Sequence, residues 1–254
     1  GRASDGRSRK RGLPRISTGS PEYRAEAYAM KGTQKIDTLY RLSAGFRRFR
    51  QQWYCAEHNI YEDLLEGQSP HALVIACSDA RVDPALILDS RPGDLFVIRN
   101  VANLVPSYRP DRGNHGVSAA LEYAVRHLHV DTIIVMGHSH CGGIAHLMEK
   151  SGAEDNEFLS AWMEVARDAL AQVDARSPGL SGEQRERACE QWAIRLSLRN
   201  LRSFPWIRDV ERQGRLGIRG WFFDLAGGSL LQLDEDRDEF LPLDRSGRDG
   251  REPD

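Results

Sequence analysis

Ala72-Leu73-Val74-Ile75-Ala76-Cys77-Ser78-Asp79-Ala80-Arg81 reads as a buried strand that runs straight into a loop carrying reactive groups. The run over 72–75 is short, wholly apolar and bounded by polar residues, the pattern of a strand covered on both faces. Cys77 to Arg81 then fall on the loop leaving it, which places a thiol, a carboxylate and a guanidinium within five residues. The arrangement recurs downstream. Thr132-Ile133-Ile134-Val135-Met136 is a second apolar run, and His138-Ser139-His140-Cys141-Gly142-Gly143 follows it.

Between the two runs the sequence alternates between helix and strand signals. Pro84 suits a first helical turn and predicts a short helix through Leu88. Pro92-Gly93-Asp94 is a turn, and 95–99 reads as another strand. A loop over 100–114 precedes a helix whose apolar stripe is Val117, Ala120, Leu121, Ala124, Val125 and Leu128. Gly142-Gly143 then opens a helix through Met148. Strand, helix, strand, helix, strand, helix argues for an α/β fold: a mainly parallel central sheet flanked by helices. In such sheets the functional crevice lies beyond the carboxyl ends of the strands, where both motifs begin.

Further out, 157–173 and 183–203 are expected helices separated by the breaker Ser177-Pro178-Gly179. Residues 216–224 and 229–234 form a hairpin through Ala226-Gly227-Gly228. Upstream, 33–66 is helical text, its second piece ending at Gly67 with Pro70 beyond, so the domain carries an N-terminal helical arm. Arg47, Arg48 and Arg50 cluster there and read as a solvated or partner-facing helix face. Residues 1–30 are basic and poor in large apolar residues, a tail. Residues 244–254 are a polar tail, leaving a single domain over 31–243.

Composition narrows the function classes. With 254 residues, 40% hydrophobic and 28% charged, the chain has ample material for a core. A net charge of −2 gives no drive toward nucleic acid or an anionic membrane. No apolar stretch approaches the ~18 residues of a membrane span. Four cysteines in a chain of this length are not a disulfide scaffold, which favours reduced thiols and a cytoplasmic setting. The basic, Ser-bearing N-terminus also resembles part of an organelle transit segment.

Cys77, Asp79, His138 and Cys141 are all zinc-ligand types, and the close spacing within each pair lets one turn present two side chains to a common point. Two thiolates select zinc over hard cations. Alone, each residue has a plainer reading: a buried thiol, a backbone acceptor, a core histidine. Together at two strand ends they point to a metal. If all four bind, the site is closed and structural. If Arg81 draws the Asp79 carboxylate into a charge-assisted pair, a position opens and the site is catalytic.

These residues resemble the β-class carbonic anhydrases, specifically their plant-like branch. The likeness rests on Cys77-Ser78-Asp79-Ala80-Arg81 and His138-x-x-Cys141-Gly142-Gly143. It extends through Gly93 to Asn103, Glu122-Tyr123-Ala124 and Gly220-Trp221, over about 68–223. Ala80 replaces the Ser usual in the first motif, at a position that is not a ligand. The resemblance implies zinc ligands at Cys77, His138 and Cys141, and an Asp79–Arg81 dyad. It implies reversible hydration of carbon dioxide to bicarbonate and a proton by hydroxide generated at zinc. It also implies substrate contacts at Gln68, Phe96, Val101, Tyr123 and the backbone near Gly143. Part of that wall comes from a second subunit, so a homodimer or higher homo-oligomer is expected. The branch that bicarbonate switches off carries a Trp and a Tyr where this chain has Val74 and Phe223, which implies an unswitched, open site. His140 invites a proton-shuttle reading but occupies a variable slot, and Cys55 and Cys189 match no motif. Two other functions share these features: a carbon disulfide or carbonyl sulfide hydrolase on the same metal site, and a non-catalytic zinc or bicarbonate sensor. Intact Asp79 and Arg81 speak against the sensor.

Overall fold

The structure, a computed structural model, describes residues 38–54, 59–149 and 157–243. The chain divides into two compact units, Gly1–Asn59 and Ile60–Asp254. In the first, helix α1 (Thr38–Trp53) buries none of its residues, and Leu39, Tyr40, Leu42 and Phe46 stand exposed along it. Cys55 and the tails lie outside the described residues.

The second unit begins with α2 (Ile60–Leu64) and then builds the sheet. Its elements are β1 (Ala72–Cys77), α3 (Pro84–Ile87), β2 (Leu95–Asn100), α4 (Gly116–Glu122) and β3 (Thr132–His138). There follow α5 (Gly142–Met148), α6 (Leu159–Met163), α7 (Arg167–Arg176), α8 (Gly182–Leu201) and α9 (Pro205–Arg212). The chain closes with β4 (Gly217–Asp224), β5 (Ser229–Asp234) and β6 (Glu239–Pro242).

The strand order is β2-β1-β3-β4-β5-β6. The first four strands are parallel, joined by crossovers, and β5 and β6 are added antiparallel through tight turns. Strands β1 and β3 are the buried pair: after their first residues every position is buried, which is why both read as unbroken apolar runs. One face packs Leu73, Ile75, Ile133, Val135 and Ile218 against Leu121, Ala124, Ile194 and Leu198. Glycines let α8 come close. A Cβ at Gly220 would lie 2.8 Å from Ile194 and 3.0 Å from Leu198, so β4 accepts the helix only where it has no side chain.

The structure also refines the expected elements. The helix over 117–128 ends as a wider π turn (Tyr123–His127). The helix expected over 157–173 is interrupted by a 3₁₀ turn, Glu164–Ala166, between α6 and α7. Helix α9 and edge strand β6 carry too short a pattern to be read in advance. Because β1 connects to β2 on one side and β3 connects to β4 on the other, the chain leaves β1 and β3 in opposite senses. A crevice opens between them at the carboxyl ends.

Candidate metal centre and active site

Each member of the cluster is delivered by the end of a central strand or by the turn that follows. Cys77 is the last residue of β1 and His138 the last of β3. Cys141 caps the start of α5, and His140 between them takes a positive φ of 56° so that the chain can turn back. The donor atoms of Cys77, His138 and Cys141 all lie within 4.8 Å of one another, and all three residues are buried. The two sulfurs are 4.0 Å apart.

The donor set fits a zinc ion. His138 Nδ1 lies 2.9 Å from the carbonyl of Ser139, which makes Nδ1 the protonated nitrogen and leaves Nε2 as a free lone pair. That Nε2 is buried with no hydrogen-bond partner, an expensive vacancy for a polar atom unless a cation meets it. The thiols behave as a pair sharing a proton. The Cys141 hydrogen bond, helped by His138, pulls the Cys77 thiol down to about 4, against the opposing effect of burial. Its own bond to Cys77 raises Cys141. Burial works against a charged His138, but the Cys77 sulfur beside it raises the imidazole overall. Such a site is ready to exchange protons for a metal.

Asp79 stands apart from this cluster. Its carboxylate accepts from Arg81 Nε at 2.9 Å, Nη2 at 2.7 Å and the Arg81 backbone N–H at 2.9 Å. These bonds hold Asp79 well below the usual carboxylate range. Arg81 Nη2 also donates to the carbonyl of His140 at 2.9 Å, linking the two motif loops. The His140 imidazole itself is half exposed, 3.7 Å from Glu183.

Three further residues brace the site. Arg99 donates to the carbonyls of Cys77 and Asp79. Glu190, buried on α8, accepts the Cys141 N–H at 2.8 Å, and burial pushes its carboxyl up to about 7. Trp162 Nε1 donates to the carbonyl of Val101 at 2.8 Å. Sequence reasoning passed over all three. Glu190 does leave a trace, a charge interrupting the apolar stripe of Cys189, Ala193 and Ile194. Cys189 is fully buried and its thiol is pushed by burial up to about 12, an inert core residue.

The expected substrate residues fall into two groups. Val101 and Gly143 adjoin the cluster: a Cβ at Gly143 would lie 2.7 Å from Val101 and 3.1 Å from Ala102. Val101 opens a 3₁₀ turn in which Ala102 and Asn103 both have positive φ, held by paired hydrogen bonds between Asn100 and Leu104. Strain of that kind collects at functional sites. Gln68 and Tyr123 instead line a separate hollow of about 610 Å³ with Tyr61, Leu95 and Leu128, and Phe96 packs 5.9 Å from the Tyr123 ring.

A parallel sheet with three soft donors at its switch point and a carboxylate–guanidinium pair beside them defines an α/β metalloenzyme. Comparison with known proteins agrees. Residues 72–230 match the model of the carbonic anhydrase family. The chain is 37% identical over 208 residues to beta carbonic anhydrase 3 of Arabidopsis thaliana, covering 80% of each. It is 36% identical to beta carbonic anhydrase 5, chloroplastic, of the same plant, covering 80% of this chain and 67% of that one. Among solved structures, the β-carbonic anhydrase CcaA superposes with a TM-score of 0.76 at 35% identity, covering 80% of this chain and 98% of that one. A tetrameric β-carbonic anhydrase from Sordaria macrospora superposes with 0.63 at 28% identity, covering 83% and 98%. The chain belongs to the β-carbonic anhydrase family. It is a zinc enzyme that interconverts carbon dioxide and bicarbonate.

Proposed function

We propose that Cys77, His138 and Cys141 are the zinc ligands and that Asp79, held by Arg81, serves the water that adds to carbon dioxide. The observation that carries this is the division of labour at the strand ends. Three soft donors converge around an unpartnered His138 Nε2, while the Asp79 carboxylate is turned onto Arg81. Three residues would then hold zinc, and with Asp79 engaged by Arg81 a fourth position would be left for water. Zinc, when bound, supplies a Lewis acid that brings the pKa of water toward neutrality.

The chain's own residues do the rest. Ionised Asp79 is an acceptor only, so it takes the hydrogen bond of the attacking water and orients its lone pair toward carbon. As the water oxygen bonds to carbon, one C–O π pair withdraws onto oxygen and a proton leaves to bulk solvent. The amide of Gly143 donates to a substrate oxygen, and Gln68 orients the substrate. Phe96, Val101 and Tyr123 form apolar walls suited to a small apolar gas. Because Gln68 and Tyr123 line a hollow of their own and Phe96 packs against the Tyr123 ring, we assign the three to the site of a second protomer, making a homodimer the minimal active unit. Val97, Val101 and Tyr123 are more than one-third exposed on or beside edge strand β2, apolar surface that a partner would cover.

We take 31–243 as the catalytic domain. Among the described residues no helix is long and apolar enough to cross a membrane. Cys77, Cys141 and Cys189 are free thiols, which supports a reducing, cytoplasmic setting that cell fractionation tests. Stopped-flow carbon dioxide hydration on protein of measured zinc content tests the function, with carbon disulfide as the competing substrate. Zinc-replete protein that fails to hydrate carbon dioxide overturns it.

A further inference from the structure

We infer that Arg99 is a positioning residue for the reaction: it shapes the turn after β1 so that the Asp79 carboxylate faces Arg81 and stays off the metal. Arg99 sits on edge strand β2, paired in register with Ala76. Its guanidinium reaches over the end of β1 and divides its donors three ways. Nε donates to the carbonyl of Cys77 at 3.0 Å, Nη2 to the carbonyl of Asp79 at 2.7 Å, and Nη1 to Asp83 Oδ2 at 2.9 Å. Asp83 is fixed in turn, because its other oxygen caps α3 by accepting the Ala85 N–H at 3.0 Å. On the far side, Ser78 N–H donates to the Asn100 carbonyl at 2.9 Å.

The turn is thus pinned at residues 77, 78, 79 and 83 by β2 and the guanidinium it carries. The carbonyls of Cys77 and Asp79, two residues apart, converge on one planar cation. That convergence sets the backbone torsions around Ser78 and Asp79, and hence the direction in which the Asp79 side chain leaves the chain. Arg81 then has only to receive the carboxylate. Two arginines act on one aspartate, Arg99 through its backbone and Arg81 through its side chain. A lysine at 99 would carry the same charge but not the fork that reaches three acceptors in different directions.

This inference rests on the role given to Asp79 above, and the experiment separates the two. Arg99→Lys is made in the wild-type chain and in an Asp79→Ala chain, each as zinc-loaded holoenzyme. Two quantities are measured: kcat/KM for carbon dioxide hydration, and the rate at which zinc passes to a chelator. In the wild-type background Arg99→Lys is expected to lower kcat/KM at least tenfold while zinc release slows, as Asp79 swings onto the metal. In the Asp79→Ala background both effects should vanish, since the group that Arg99 directs is gone. A fall in kcat/KM that persists undiminished without Asp79, or zinc release that quickens equally in both backgrounds, would mean that Arg99 merely braces the fold and would overturn the proposal. So would unchanged kcat/KM and zinc release in Arg99→Lys alone. If Asp79→Ala by itself keeps full activity, the role given to Asp79 fails, while the zinc-release comparison still reads Arg99. Arg99→Gln, which retains two donors, supplies the same cycle should Arg99→Lys not fold.

Discussion

The Asp79 carboxylate meets the Arg81 guanidinium edge to edge, Oδ1 on Nε at 2.9 Å and Oδ2 on Nη2 at 2.7 Å. Arg81 places two donors on Oδ1, its Nε and its backbone N–H, and one on Oδ2, which keeps a lone pair for water, and the same Nη2 reaches across to the carbonyl of His140. Arg81→Ala releases the carboxylate without touching the donor cluster. Zinc content should stay at one per chain, while kcat/KM falls on the order of 100-fold, the scale of a lost positioned acceptor. Stopped-flow hydration with parallel zinc analysis reads both.

Gly143→Ala tests how tightly the pocket wall is fitted. The new methyl would lie 2.7 Å from Val101 Cγ1 and 3.1 Å from the Ala102 Cβ, in a turn already bent by positive φ. Overpacking of this kind costs about 1–3 kcal/mol. Urea unfolding of the holoenzyme should show a loss in that range. Because Val101 must move, kcat/KM should also drop while zinc is retained.

Glu190 gives the zinc-free protein a pH signature. Burial raises its folded pKa to about 7 from the ordinary glutamate value of 4.5. The folded state therefore prefers the protonated acid. Its full stabilising contribution is present below about pH 4.5 and is lost as pH rises through about 7, a swing of roughly 3 kcal/mol. Glu190→Gln keeps an acceptor for the Cys141 N–H and removes the charge. Urea unfolding of the apoprotein at pH 5 and pH 8 should show that the variant gains relative stability at the higher pH. An unchanged pH dependence would refute the assignment.

Complementation tests the shared site. Cys77→Ala and Gln68→Ala chains are each expected to be impaired alone. If Gln68 serves the partner's zinc, co-refolded mixtures regain activity, because each heterodimer contains one site with both residues intact. Random pairing sets the recovery near one quarter of wild type, from half the dimers contributing one site each. A mixture no more active than the average of its parents would place Gln68 in its own chain's site.

Much of this was legible in the sequence because burial on both faces leaves a plain mark. β1 and β3 are buried after their first residues, so each reads as an apolar run, and polar residues directly after such a run fall at the rim of the crevice. What escaped notice has physical reasons. Arg99 is an exposed residue on edge strand β2, where Ile98 before it is buried; alternation there says only that a side chain turns outward, not what it reaches. Glu190 lies in a 20-residue helix whose periodic pattern dominates any single charge. The eight residues of α9 and four of β6 are too short for periodicity to distinguish them from loop. The separation of Gln68 from the donor cluster could not be read at all, since only the folded chain shows which hollow it lines.

The placement of the donors on two neighbouring strands also governs when the enzyme can mature. Cys77 and Cys141 are 64 residues apart in the chain, and the hydrogen bond that fixes the Cys141 amide comes from Glu190, 49 residues later still. A nascent chain that has emerged only as far as Met148 contains every donor atom, yet it lacks α8, which braces the second loop, and β4, which flanks β3. Metal captured at that moment would meet floppy thiols rather than a formed site. Loading therefore belongs to the end of synthesis, and a truncation before α8 should leave a chain that competes for zinc without retaining it.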